Sequence, residues 1–340
     1  MDLSTKLRAW YRFNARKLPW RETTDPYAIW LSEVILQQTR VTQGLPYFDR
    51  FLETFPNVES LAASSEDKLM KLWEGLGYYS RARNLHKGAK YIVENGFPTS
   101  YDEWLKVPGV GPYTAAAIAS FALHEEKAVV DGNVNRVIAR LFAIHEPVNS
   151  TAGRKIIEEK ASALIRKNPP AEHNQAIMEL GALVCSPKSP DCSICPWNTE
   201  CLALATGLVN TLPVKIKKTK VMEEDLYYTA IYSLNGLYVQ KRGVDGIWKS
   251  LYELIPISGN SLSLEPDMKL SSERFNTTHL LSHRKLNLHI DVIEWPIQSP
   301  ELWEGYTLVR WNDIDNLAFP KPIRHWLDNN LLPLRLGSED

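Results

Sequence analysis

The stretch Val107-Pro-Gly-Val-Gly-Pro-Tyr-Thr-Ala-Ala-Ala-Ile-Ala-Ser120 decides how the first half of this chain folds. Two glycines and a proline stand directly ahead of small, helix-forming residues. Pro108-Gly109-Val110-Gly111 predicts a tight turn between a helix ending in Tyr101–Lys106 and a second helix over 113–123. The second helix is too apolar for a surface position and is expected to be buried. Glycines let a backbone approach a ligand closely, and the free N–H groups at a helix start favour an anion such as a DNA phosphate. An ordinary helix–helix turn fits the same residues.

Outward from this hairpin the pattern stays helical. Apolar residues recur at helical spacing over 5–14, 27–40, 43–54, 66–73, 80–94, 132–142, 151–167 and 172–184, broken by signals such as Asn95-Gly-Phe-Pro98 and Asn168-Pro-Pro170. Near Val209–Glu224 the texture changes: Lys215, Lys217, Lys218 and Lys220 precede Glu223-Glu-Asp225. This reads as an exposed linker over 209–224 between a helical domain, 1–208, and a second domain, 225–340. The second domain is expected to be α+β, with strands at Leu226–Ser233, Gly236–Lys241, Leu286–Trp295 and Tyr306–Trp311 and a last helix over Ile323–Asn329.

Charge divides in the same place. Residues 1–221 carry 28 Lys and Arg against 23 Asp and Glu, while 222–340 carry 11 against 17, so a net charge of −1 hides two halves of opposite sign. No apolar run reaches the ~18 residues of a membrane helix. Met1–Arg8 lacks an apolar core followed by a cleavage site. A cytoplasmic protein with no membrane partner is the expectation.

All four cysteines fall in one array, Cys185-x6-Cys192-x2-Cys195-x5-Cys201. In a cytoplasmic chain this compact group points to a metal centre rather than disulfides. Zinc accepts four thiolates but usually pairs two C-x2-C knuckles, and only one is present, so a [4Fe–4S] cluster is favoured. Two carboxylates stand out. Asp131 follows an apolar pair in Val129-Val-Asp-Gly-Asn-Val-Asn-Arg136, where it either caps the next helix or serves chemistry. Glu33 interrupts the apolar run Ile29–Leu36; on a wet face it is ordinary, but facing a pocket it would be held protonated, ready to act as an acid.

The cysteine spacing, VPGVGPYT, VDGNVNRV, SEVILQQT (32–39) and WEGLGYYSRARNL (73–85) together resemble the endonuclease III and adenine DNA glycosylase superfamily, over roughly 10–330. The resemblance implies a mostly α helix-hairpin-helix glycosylase domain with an iron–sulfur loop. It also implies removal of adenine from double-stranded DNA opposite 8-oxoguanine or guanine. Glu33 then stands as general acid, Asp131 as stabiliser or transient nucleophile, Asn133 as its orienting partner, and Tyr113 as a residue ordering both carboxylates. Bifunctional relatives carry a lysine where this chain has Tyr113, and tyrosine cannot form their imine with the sugar, so hydrolysis without strand cleavage is expected. The same resemblance places Arg21, Trp30 and Gln175 around the extruded adenine. It places Gln38 and Tyr78 in the helix stack, with Gly109, Val110 and Gly111 on phosphate.

The second domain resembles the start of a Nudix-type fold, yet 257–275 holds only Glu265, Asp267 and Glu273 of the acidic residues a metal-binding Nudix helix needs. It is therefore expected to bind rather than catalyse. Leu281-Ser282-His283, in the loop Thr278–Arg284, resembles the element with which adenine glycosylases sense 8-oxoguanine, with Leu281 replacing an aromatic. Two other readings remain beside the adenine one: a bifunctional oxidised-pyrimidine glycosylase/lyase, and a non-catalytic lesion-binding protein.

Overall fold

A computed structural model describes residues 2–216, 221–257, 269–270, 274–281, 284–294 and 305–331. The chain divides into two compact units, one made of 1–63 with 84–217 and the other of 64–83 with 218–340.

In the first unit the buried hairpin is formed by α7 (Tyr101–Trp104) and α8 (Pro112–Phe121), joined by the turn at Val107–Gly111. Pro112 fits the first helical position, and every residue from Thr114 to Phe121 is buried. Gly109 has φ +81°, and a Cβ there would lie 2.4 Å from Asn84 Cβ. Only glycine fits that turn against α6 (Ser80–Asn95). α8 packs against α2 (Pro26–Leu36) and α11 (Pro170–Leu183); α3 (Val41–Thr54) packs on α2, and α1 (Leu3–Asn14), α9 (Gly132–Leu141) and α10 (Thr151–Ile165) pack on α11, with the short α4 (Val58–Ala62) and α12 (Leu202–Ala205) in the same unit. Leu7, Ile138, Ile157, Ile177 and Leu180 pack α1 and α9–α11 into one apolar core that also holds Trp197 of the cysteine loop.

Two boundaries differ from expectation. Residues 64–83, with α5 (Glu66–Trp73), group with the C-terminal residues rather than with a 1–208 domain. Glu74 Oε1 accepts from Phe319 N–H at 3.0 Å, and Arg83 donates to Lys249 O at 2.9 Å. The start of the 209–224 linker is also not free. Arg140 Nε donates to Leu212 O at 3.0 Å, Val148 N–H to Val214 O at 3.0 Å, and Asn149 exchanges two hydrogen bonds with Ile216. Leu212 is buried. An apolar residue and a set of satisfied backbone groups tie that strip down despite its lysines.

The second unit is built on a mixed sheet. Strand β1 (Met222–Ser233) pairs antiparallel with β2 (Gly236–Lys241) and parallel with β7 (Arg284–Glu294), Tyr228 opposite Ile290. The short β3 (Tyr252–Glu253), β4 (Ile255–Pro256), β5 (Lys269–Leu270), β6 (Phe275–Leu280) and β8 (Thr307–Arg310) complete it. One face packs Ala230, Val239, Leu286, Leu288 and Ile290 against Trp311, Phe319, Ile323 and Trp326, the last two from α13 (Lys321–Trp326). Thr278–Leu280 is strand rather than loop, because β6 continues the ladder beside β7 as far as Leu280–Lys285.

Candidate active site

Glu33 lies on the last full turn of α2 and is 7% exposed. It faces a cavity of about 600 Å³ whose wall also includes Tyr113, Asp131, Asn133, Arg21 and Gln175. Five sequence-predicted residues, from α8, the head of α9, α11 and the Pro19–Arg21 turn, thus meet Glu33 at one place. The neutral carboxyl is favoured: burial raises its pKa to about 7, helped by nearby Asp131 and opposed by the Tyr113 hydroxyl bonded to it and by Arg21.

Asp131 caps α9, accepting from Val134 N–H at 2.7 Å. Its other oxygen accepts from Asn133 Nδ2 at 2.8 Å, and Asn133 Oδ1 accepts from Arg136 at 2.8 Å. Arg136 in turn donates to Gly181 O and Cys185 O, both at 2.7 Å. Capping and orientation are therefore one arrangement rather than alternatives. Burial pushes the Asp131 pKa up, while the Val134 and Asn133 bonds pull it down.

Gln175 Oε1 accepts from Tyr11 OH at 2.9 Å, which fixes the amide on the cavity wall. Arg21 lies over the Tyr11 ring, 5.7 Å from its centre. Trp30 is not part of this wall. It is 1% exposed, packs on Trp104 with ring centres 5.9 Å apart, and fills the space over Gly88. One turn before Glu33 and to its flank, it serves the helix packing, and Trp20 stands on the cavity instead. Sequence reasoning also misses Arg16, Glu179 and Tyr11. The one local signal is Glu179, a charge on an otherwise apolar turn of α11, four residues after Gln175.

Gln38 and Tyr78 are exposed, and both have left-handed backbones, φ +58° and +48°. Such conformations cost about 1 kcal/mol or more for residues with a Cβ and gather at functional turns. Gly109, Val110 and Gly111 form the hairpin turn, with Gly111 capping α8. In the second unit a cavity of about 520 Å³ brings Tyr78 together with Leu281, Trp248 and His279, ringed by Arg83, Arg284 and Lys321. Leu281 is half-buried and packs against the sheet core. Ser282 and His283 lie outside the described residues.

The four cysteines are unbridged and line one small cavity with Arg140. Arg140, 2% exposed, donates to Cys185 Sγ at 3.3 Å and to Ser186 O at 2.7 Å. Four sulfurs around one space match the donor set of an all-thiolate centre. No group of three or more His, Cys, Asp or Glu side chains among the described residues stands at metal-ligand spacing.

A hairpin turn aimed outward, a buried acid and a capped carboxylate on one cavity define the class: a helix-hairpin-helix base-excision glycosylase. The family described as HhH-GPD superfamily base excision DNA repair protein matches residues 31–167. An adenine DNA glycosylase of Buchnera aphidicola subsp. Baizongia pistaciae is 33% identical over 336 residues, covering 94% of this chain and 93% of its own. Another, from Buchnera aphidicola subsp. Schizaphis graminum, is 39% identical over 251 residues, covering 72% and 71%. The human adenine DNA glycosylase is 42% identical over 209 residues, 58% of this chain and 38% of that protein. Among solved structures, a thermostable thymine-DNA glycosylase superposes with a TM-score of 0.56 at 26% identity, covering 60% of this chain and 95% of the other. A trapped endonuclease III–DNA covalent intermediate shares the fold at 22% identity, with a TM-score of 0.52 and coverage of 60% and 95%. The chain belongs to the adenine DNA glycosylase family.

Proposed function

We propose that this chain excises adenine standing opposite 8-oxoguanine or guanine in duplex DNA, by hydrolysis and without cutting the strand. The observation that carries the reading is Glu33, buried and facing a cavity beside Asp131, where burial raises its pKa to about 7. The enzyme is an adenine-specific DNA N-glycosylase. Its target must leave the base stack to reach such a cavity. Glu33 protonates a ring nitrogen of adenine, which turns a poor leaving group into a good one. Asp131, held by Val134 N–H and Asn133, stabilises the positive charge that develops on the sugar, following the two-carboxylate logic of glycoside hydrolysis. Water completes the exchange: the C–N bond breaks and the base leaves neutral with the proton from Glu33, while C–O forms and the proton lost by water returns to the Glu33 carboxylate. Arg21 and Gln175 line the space for the base. No lysine among the described residues lines that cavity, which supports hydrolysis over imine chemistry.

Cys185, Cys192, Cys195 and Cys201 are the residues that would hold a [4Fe–4S] cluster. Bound there, the group would act as a structural tether for the loop. The chain's own part is played by Arg140, which ties Cys185 to the loop backbone. Cys195→Ser should lose folded yield and DNA binding together; normal affinity in cluster-free protein would refute the tether. The second unit is read as a Nudix-like binding domain that senses the base opposite adenine through Leu281, Ser282 and His283. Gln38, Tyr78 and the Gly109–Gly111 turn hold the DNA. Among the described residues no helix is long and apolar enough to cross a membrane. On this reading the chain acts as a cytoplasmic, nucleoid-associated monomer.

A single-turnover assay tests the whole reading. Duplexes carry adenine opposite 8-oxoguanine, adenine opposite guanine, or thymine glycol opposite adenine, each with and without alkali. Strand breaks in the adenine duplexes only after alkali are expected. Breaks in the thymine-glycol duplex without alkali would overturn it.

A further inference from the structure

Glu179 lies one turn after Gln175 on α11 and lines the same cavity as Glu33. It is wholly out of solvent. Its carboxylate accepts from Arg16 N–H at 2.9 Å, Arg16 Nε and an Arg16 terminal nitrogen each at 2.8 Å, and Arg21 at 2.7 Å. Arg21 also donates to Arg16 O at 3.2 Å, so the two guanidiniums form one block around a single anion. A carboxylate so paired stays ionised: these donors pull its pKa down to about 2 against the cost of burial.

The block matters because of what stands across the cavity. The charged and titratable groups bearing on Glu33 are the Tyr113 hydroxyl from α8, Asp131 at the head of α9, and Arg21. Arg16 and Arg40 line the same space. Arg21 acts against protonation of Glu33, and in a cavity of low dielectric an unopposed cation acts over several ångströms. Glu179 is the carboxylate that Arg16 and Arg21 share on that wall.

We propose that Glu179 is a positioning residue of the base pocket: by binding Arg16 and Arg21 it cancels one of their two positive charges and so keeps the proton on Glu33. The proposal rests on Glu33 being the general acid. Glu179 touches neither base nor sugar in this scheme. It sets where Arg21 points and how much of its charge Glu33 meets.

The test is the pH profile of single-turnover adenine release by the full chain. Glu179→Gln keeps the shape and removes the charge. The limb that falls as pH rises should move down by about one unit. Release should then be about tenfold slower near pH 8 and within about twofold of wild type near pH 5.5. Arg16→Gln leaves Glu179 with one cation to oppose, so the same limb should move upward, by less. A uniform loss at every pH in E179Q would mean a purely structural role and overturn the proposal. If E179Q does not fold, R16Q decides, and an unmoved or lowered limb overturns it. Glu33→Gln is run in parallel. Retained activity there sinks the reading of Glu33 as acid, whereas an inactive E33Q beside an unmoved E179Q limb sinks only the role given to Glu179.

Discussion

Glu33 and Glu253 are both nearly solvent-free carboxylates, one in each unit, 7% and 2% exposed. Their surroundings differ in kind. Glu253 is saturated: it pairs with Arg242 and accepts from Tyr228 OH at 3.0 Å and from Gln240 Nε2 at 2.8 Å. Glu33 has the Tyr113 hydroxyl and an open cavity. A buried acid with donors on both oxygens and a charge partner is part of the architecture. One left facing a space for a ligand stores free energy that a reaction can use. The contrast predicts that Glu33→Gln lowers single-turnover adenine release by about 10²–10⁴-fold, the range for losing a general acid. The same change should raise stability. A folded pKa near 7 against 4.5 unfolded means that the unfolded chain gives up the proton first, so stability drains away as pH climbs from about 4.5 to about 7. The glutamine variant avoids that loss, worth about 3 kcal/mol at most. Its melting temperature should exceed wild type by several degrees near pH 8, and the two should converge near pH 4.5. Equal melting at both values would remove the basis of the contrast.

Buried carboxylates are unequally legible in the sequence. Helical spacing marks α2, α8, α9 and α11, and the glycine turn at 109–111 locates the hairpin, because these are local consequences of residue order. Glu33 and Asp131 stand out by their apolar or capping context. Glu179 carries a like mark, a charge on an apolar turn, but its partners do not, since the bonds join residues 158 and 163 apart and nothing local marks Arg16 or Arg21. Trp30 is misplaced by the sequence for a related reason: motif proximity to Glu33 gives distance along the chain, while the direction of its ring is set by Gly88 and Trp104. In the second unit the end of β6 reads as loop. Its inward and outward residues alternate as half-buried and exposed, without the apolar face that marks a strand.

The opposite experiment, Glu253→Gln, should leave adenine release within about twofold and cost stability instead. It leaves the Arg242 guanidinium without its charge partner while keeping a hydrogen-bonding group for Tyr228 and Gln240. Full burial would make that worth about 3–5 kcal/mol, but Arg242 keeps 23% side-chain exposure, which lowers the expectation to about 2 kcal/mol. Urea unfolding of the variant measures it. A loss of catalysis at unchanged midpoint would mean that the second unit's core takes part in the reaction.

Tyr113→Phe sharpens the first side of the comparison. The hydroxyl favours the ionised form of Glu33, so deleting it should shift the high-pH limb of adenine release upward, opposite to E179Q, by about one unit or less. Lost orientation of the acid would lower the plateau without moving the limb, and the pH profile separates the two effects. A downward shift would show that the Tyr113 oxygen accepts from the protonated carboxyl instead of donating to it.

The smallest effect is expected on the wet side of the second unit's sheet. Arg274 makes a two-bond pair with Asp291, at 2.7 and 2.8 Å, in geometry as good as any in the base pocket. Its side chain is nevertheless 53% exposed. Water and salt screen such a pair and its long side chain must be ordered to form it, so Arg274→Ala should barely move the unfolding midpoint, and move it less again in high salt. Unfolding midpoints at two ionic strengths would measure it. A cost near that of Glu253→Gln would mean that bonding geometry, rather than exclusion of water, decides what a carboxylate is worth here, and the distinction drawn between Glu33 and Glu253 would lose its physical footing.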